Sequence, residues 1–512
     1  MVAVASIPSE VPGIRIADGH VPNGQRETAT RGQAEVNRSG RYVLYWMIAH
    51  RRLRSNFALQ RAADWARHLS LPLVVLEPLE VDYRWASERF HAFVIAGMQE
   101  NRRRAASLPL TYLPYVEPSS GAGDGLLARM AESAAVVVTD DFPCFFHPAL
   151  VRSAARHVSC RFEVVDGNGL IPLSSSPREF ARAFDFRRFL QRTVRDHWEH
   201  LPQPLPFEGL RGGWEPGKEL DAWPMLDANE PLETLVRQLP IDHAVGRSSI
   251  PGGSEAGERR AASFIAERLD DYADHRNDVD RDGASGLSPY LHFGHVSVHD
   301  LFRDVTERYG WKPQAASTST GGSSHDWWGL PPGAESFLDE LLTWRELGYH
   351  FSRHRRDYAR YESLPDWARR TLEEHAKDRR DAVYSLDEFA ESRTHDELWN
   401  AAQRQLVREG KIHNYLRMLW GKKILEWSAH PRDALHVMIE LNNRYALDGR
   451  NPNSYSGIFW VLGRFDRAWG PERPVYGTIR YMSSDNTRRK LPVRDYLRRY
   501  AAAPQVGLPF SD

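Results

Sequence analysis

The chain has 512 residues, 41% of them hydrophobic and 26% charged, with a formal net charge of −1, and that length can bury more than one core. Near-neutral charge excludes binding of nucleic acid through overall basicity, so any such surface must come from local clustering of cations. The two cysteines, Cys144 and Cys160, cannot form a disulfide framework, which fits a reducing, cytoplasmic setting, and no apolar run approaches a membrane span.

Residues 1–38 lack the basic and apolar segments of a signal peptide and read as a flexible extension. "RYVLYWMI" (41–48) is a short apolar, β-branched and aromatic run that reads as a buried strand. A helical pattern follows from Asn56 to Leu69, then a strand at 71–79, a helix over 87–107 and a strand at 110–116. Helix 124–134 leads to a strand at 134–141, and helix 147–157 leads to one at 161–166. Strands alternating with helices at this spacing predict a doubly wound, parallel α/β sheet over 39–175. Residues 176–257 include a Pro- and Gly-rich stretch without sustained periodicity and read as an interdomain linker. From 258 to 505 the chain is mostly amphipathic helix, so an all-α domain is expected there. "QAASTSTGGSSHD" (314–326) interrupts it as a mobile loop.

Several motifs bear on chemistry. "GAGDG" (121–125) resembles the start of a dinucleotide fingerprint, but it lacks the flanking strand and the acidic partner, and a lone glycine cluster carries little weight. His295 and His299 have the spacing of a helical metal pair, yet no third ligand is evident, so no metal site is expected. In "ASGLSPYLHFG" (284–294), Ser285, Gly286 and Ser288 place hydroxyls and flexible backbone ahead of Pro289, a good first-turn residue. Such a start suits a pyrophosphate or an ordinary serine cap. "LDELLTWRELGYHF" (338–351) predicts a helix on which Glu340 and Trp344 share a face.

"THDE" (394–397) reads as a capping box that starts a helix ended by Gly410, and a second helix is expected over 411–427. Trp420 and Trp427 stand two turns apart on one stripe, with Trp399 on the preceding helix. Three indoles there can fill a core or pass electrons. On the next helix Asn442 shares an apolar face with Leu435, Met438 and Ile439, and a buried amide needs a partner. Arg417 and Asp448 can form a buried ion pair. "WVLGRFDRAWGPERP" (460–474) sets two tryptophans in a Gly- and Arg-containing loop. In the tail "TRRKLPVRDYLRRY" (487–500) cations far outnumber the one Asp, an electrostatic footprint for phosphates.

Together these motifs resemble the class II cyclobutane pyrimidine dimer photolyases of the photolyase/cryptochrome family over about residues 40–500. The resemblance is most specific in "SGLSPYLHFG", "THDELWNAAQ", "KKILEW", "LNNRYALDGRNPN" and "GTIRYM". It implies an N-terminal antenna domain, with a deazaflavin or another antenna chromophore, and a helical domain that holds FAD. It makes Trp420 the indole nearest the flavin, Trp399 the relay and Trp427 the outer donor. Asn442 would face flavin N5 and steer its redox states, while Arg417 and Asp448 would form a salt bridge beside the ring. Tyr272, Ser285, Gly286, Leu287, Ser288 and Arg345 fall in segments that contact FAD. Glu340, Trp344, Tyr415, Met418 and Trp460 match the pocket for the flipped lesion, with Glu340, Trp344, Trp460 and Asn442 closest to the reaction. Arg464, Trp469, Arg488, Arg489 and Lys490 are further candidates for DNA contact.

The implied activity is light-driven repair of pyrimidine dimers in duplex or single-stranded DNA by a monomeric enzyme. Departures from the family pattern are His350, Asn414, Leu419, Asn451, Ser454 and a loop after Trp460 that is one residue short and lacks a His. They are expected on the DNA side. They keep open a blue-light receptor of the same fold, or a related flavoenzyme with another substrate.

Overall fold

A computed structural model describes residues 11–17, 35–281 and 283–502. The chain divides into two compact units: Met1–Asp270 with Ser285–Tyr358 and Arg450–Ser454, and Asp271–Ala284 with Ala359–Gly449 and Tyr455–Asp512. The first is built on a sheet, and the second has helices and no strand among its described residues. The division departs from the boundary expected near residue 258, because the helices over 285–358 group with the sheet.

The strands are β1 (Ile14–Ile16), β2 (Tyr42–Trp46), β3 (Leu73–Leu79), β4 (Thr111–Val116), β5 (Ala134–Asp141) and β6 (Arg161–Asp166). Their order is β1-β6-β5-β2-β3-β4, parallel throughout except for β1. The chain runs outward from β2 to β4 and returns to the other side of β2 as β5, as a doubly wound sheet does. Strand β1 corrects the expected extension: Ile14–Ile16 forms an antiparallel edge on β6. Residues 1–10 and 18–34 of that extension lie outside the described residues.

Four helices connect the strands: α1 (Phe57–Leu69), α2 (Glu88–Ala105), α3 (Leu126–Glu132) and α4 (His147–Ala155). The Asn56 side chain caps α1 by accepting from the N–H groups of Ala58 and Leu59, two donors that the helix itself cannot satisfy. Every residue of β2 and β5 is buried, as expected for strands covered on both faces. Buried Asp140, near the end of β5, accepts from the backbone of Ile48, Ala49 and His50 at 2.8–3.1 Å. It thereby fixes the turn that leaves β2.

The expected linker is more ordered than its composition suggests, since it contains helices at Ala183–Thr193 and Leu232–Arg237. The Ser/Thr/Gly stretch at 314–326 is irregular but pinned. Gly322 donates to Gln191, Gln191 donates to the Ser323 carbonyl, and the Trp327 indole donates to the Ser319 carbonyl. No helix of the described residues is long and apolar enough to cross a membrane.

Candidate functional site

In the helical unit, Glu397–Glu409 and Asn414–Trp427 form successive helices joined at Gly410, whose φ of 76° is the left-handed ending expected of glycine. The first helix is capped by Asp396, which accepts from Leu398 and Trp399, and not by the expected Thr394 box. Thr394 instead bonds Asn400. Trp399 and Trp420 stack with centroids 6.5 Å apart and planes 3° from parallel, and Trp399 meets Trp427 edge-on at 6.1 Å. The spatial succession is therefore Trp420, Trp399, Trp427. All three are buried, at 2%, 0% and 4% exposure. The Trp399 indole donates to the Trp420 carbonyl at 3.0 Å, and Trp420 donates to Gln403 Oε1 at 2.9 Å. These bonds lock both rings. Trp427 also touches Tyr384 and His395, which are themselves bonded at 2.6 Å.

Arg417 and Asp448 form the expected ion pair, at 2.9 and 3.2 Å, but it is half-buried rather than sealed. Arg417 Nε is buried without a hydrogen-bond partner among the described residues. Asn442, 2% exposed, lies on the Pro431–Tyr445 helix and donates to Asn443, which donates to Tyr455. Leu435 and Met438 of the same stripe are buried, and Ile439 is half-buried. Tyr272 is buried and opens a short helix, and Tyr415 and Met418 are half-buried.

The loop after Trp460 forms a column. The Arg480 guanidinium lies 3.9 Å from the Trp469 centroid and 5.5 Å from that of Trp460. Asp466 holds Arg480 at 2.9 and 3.2 Å and accepts from the Trp469 indole. Arg464 requires a correction. Expected at a DNA surface, it is 2% exposed, packs 3.8 Å over Phe459 and bonds Ser363. Arg488, Arg489 and Lys490 are exposed on the Ser484–Lys490 helix, as a phosphate-facing role needs. Lys422 was not singled out from sequence. It is fully buried, and burial lowers its pKa to about 7.

In the sheet-bearing unit, the helix expected over 338–351 is partly a π-helix, Asp339–Trp344, followed by an α-helix, Arg345–His354. Such wide turns recur at functional sites. Glu340 and Trp344 are both half-buried. Arg345 is 8% exposed, donates to the Asn168 carbonyl at 2.7 Å and lies over Tyr349. Its neighbour Glu346 accepts from Leu170 and Ile171, and burial raises its pKa to about 7. Ser285 accepts from Leu287, Gly286 has φ +70, and Ser288 and Pro289 begin a short helix.

Of the residues named as departures, His350, Leu419, Asn451 and Ser454 are buried. His350 is fully buried between Phe186 and Phe189, and burial lowers its pKa to about 3. Leu419 is buried, and Asn451 is buried and bonded to Tyr349 and His292. Asn414 is exposed. His295 precedes its helix and accepts from the Gly253 N–H, and no metal-binding group of three occurs among the described residues. The glycine cluster that sequence discounted lines a cavity of about 740 Å³ against β3, β4 and α4.

No family model matches the chain. It is 33% identical over 471 residues to the deoxyribodipyrimidine photo-lyase of Methanothermobacter thermautotrophicus, covering 91% of this chain and 96% of that one. It is 31% identical to the protein of that name from Arabidopsis thaliana, over 89% of this chain and 88% of that one. For the one from Potorous tridactylus the figures are 29%, 94% and 85%. In structure it is similar to a bacterial class III photolyase from Agrobacterium tumefaciens, with a TM-score of 0.65 at 17% identity, over 90% of this chain and 86% of that one.

Proposed function

The chain belongs to the deoxyribodipyrimidine photo-lyase family, and from that premise we propose that it is a light-driven, FAD-dependent enzyme that splits cyclobutane pyrimidine dimers in DNA. The motifs around Ser285, Trp399 and Asn442 favour the class II branch. The observation that carries the reading is the succession Trp420, Trp399, Trp427, with ring centroids 6.5 and 6.1 Å apart. Packing alone requires no such aligned series.

FAD, when bound, supplies the photoexcited electron, and the protein supplies position and electrostatics. Arg417 supports the fit. Asp448 holds two of its nitrogens, while Nε is a buried donor with no partner among the described residues. In this reading Arg417, Asp448, Asn442 and Tyr272 hold FAD from the helical unit. Ser285, Gly286, Leu287, Ser288 and Arg345 are the FAD-contacting candidates of the sheet-bearing unit. A Cβ at Gly286 would meet the Arg260 guanidinium at 2.7 Å, and its φ of +70° also favours glycine there.

Glu340 hydrogen-bonds the flipped dimer, and Trp344 provides an apolar wall. Trp460, Tyr415 and Met418 are the lesion-contacting candidates of the helical unit. Flipping costs a few kcal/mol, less for a lesion that already distorts stacking. The 740 Å³ cavity lined by Gly121, Gly123 and Gly125 is the place we assign to an antenna chromophore, a deazaflavin or another.

The decisive experiment illuminates the purified, reduced holoprotein with dimer-containing DNA and counts restored thymines. Dimer-dependent restoration is expected. Normal flavin photoreduction without any restoration would overturn the repair assignment in favour of a blue-light receptor.

A further inference from the structure

A second cavity, of about 270 Å³, opens in the helical unit beside Trp427. Its wall is cationic: Arg379, Arg380, Lys423 and Arg473 face only Asp381 and Glu426. Lys423 is paired with Glu426 at 2.6 Å and stands 5.3 Å from the Trp427 centroid. Arg380 donates through Nη1 to the carbonyls of Ala376 and Asp378, at 3.1 and 2.9 Å. Its Nε and Nη2 are buried with no hydrogen-bond partner among the described residues. Arg473 lies 4.7 Å over the ring of Tyr481, and neither it nor Arg379 has a carboxylate partner among the described residues.

An oriented guanidinium with two idle donors in a concave, net-positive wall suits a small planar anion. The position adds a function. Trp427 ends the indole succession, is only 4% exposed and lines this cavity.

We propose that the cavity docks a small enediolate-type organic anion, which refills Trp427 after it has given up an electron. The proposal rests on Trp427 being the outer donor of the tryptophan series. One electron passes from the enediolate monoanion to the oxidised indole, which returns to its neutral closed-shell form. The donor leaves as its one-electron-oxidised radical, and its hydroxyl proton goes to solvent.

The test uses the holoprotein, ascorbate as the anionic probe and dithiothreitol as a neutral reductant. After a flash, the decay of the oxidised indole is followed by transient absorption while ascorbate is raised. A saturating dependence is expected. In R379Q/R473Q, which changes two exposed side chains, half-saturation should need about tenfold more ascorbate, and dithiothreitol should act equally on both proteins. R380Q should show the same loss. Anaerobic calorimetry in the dark should give an ascorbate isotherm in the parent that is weakened in the variants. A linear dependence of equal slope in parent and variants, or no dark binding, overturns the docking site. Displacement of ascorbate by undamaged duplex DNA would assign these cations to phosphates instead. Dark binding with no oxidised indole after the flash would defeat the tryptophan reading while leaving the anion site, so the two failures are separable.

Discussion

Lys422 stands over Trp460 with its ammonium 4.9 Å from the ring centroid, and it donates to the Val461 carbonyl at 2.6 Å. The charge is buried against an indole assigned to the lesion pocket. Burial brings its pKa down from 10.5 to about 7, with Asp466 only partly opposing this. Between those values the unfolded chain holds the proton and the folded chain does not, so stability rises with pH across that window. The penalty is full below about 7 and gone above 10.5. Lys422→Met should therefore be stabilised relative to the parent at about pH 6, by an amount on the order of a few kcal/mol, and this gain should shrink by about pH 10. Denaturant titrations of both proteins at the two pH values decide it. A constant difference would show that Lys422 is not held neutral.

Trp420→Phe removes the first indole of the series and its bond to Gln403 at 2.9 Å. Stability should fall by about 1–2 kcal/mol, because Gln403 Oε1 is left without that donor. FAD should still bind, and photoreduction under blue light with an external reductant should slow by more than about tenfold, or about 1.4 kcal/mol in the barrier. Unchanged photoreduction would return these rings to core filling.

Much of this was legible in the sequence, and the limits have physical causes. Strands β2 to β6 announced themselves because strands buried on both faces are continuous apolar runs. Strand β1 did not, being three residues in a polar, Gly- and Pro-containing context. The π-turn at Asp339–Trp344 was invisible because six residues cannot distinguish its period from an α-helix. Arg464 was misplaced because sequence shows its charge and not the Phe459 and Ser363 that bury it. The cavity beside Trp427 joins Arg379, Lys423 and Arg473, which are too far apart in sequence for any motif to unite them. The tryptophan spacing, by contrast, was already in the helical pattern.

Asn442→Ala deletes one amide from a buried, otherwise apolar stripe. The loss of its bond to Asn443 should cost about 1 kcal/mol and leave the fold intact. The flavin redox states that persist in air should change. Spectra recorded through photoreduction and reoxidation that overlay those of the parent would place Asn442 away from the flavin.

Affinity for DNA should fall as salt rises despite the balanced net charge. Arg488, Arg489 and Lys490 are exposed on one short helix, with Arg488 3.8 Å from Asp396 and so partly compensated. Replacing all three with Gln should reduce the slope of log K against log salt by about 0.9 for each duplex phosphate that is no longer neutralised. Fluorescence anisotropy from low to moderate salt measures it. A flat response in the parent would remove the phosphate-tracking surface.

The last prediction concerns the column Trp460, Arg480, Trp469. Arg480 is fixed by Asp466 and faces both rings, at 5.5 and 3.9 Å. A stack of this kind can stand in for the partner that a flipped dimer leaves behind. In duplex DNA it would offset part of the unstacking and unpairing cost, whereas a single strand has no base pairs to break. Trp469 closes the stack on Arg480, at 3.9 Å. Trp469→Ala should therefore slow duplex repair by roughly fivefold, about 1 kcal/mol, and single-strand repair much less. Initial rates on both substrates at saturating light and protein give the ratio. An equal loss on both would show that Trp469 supports the lesion pocket rather than the duplex. No loss on either would leave the column a local packing feature of the loop.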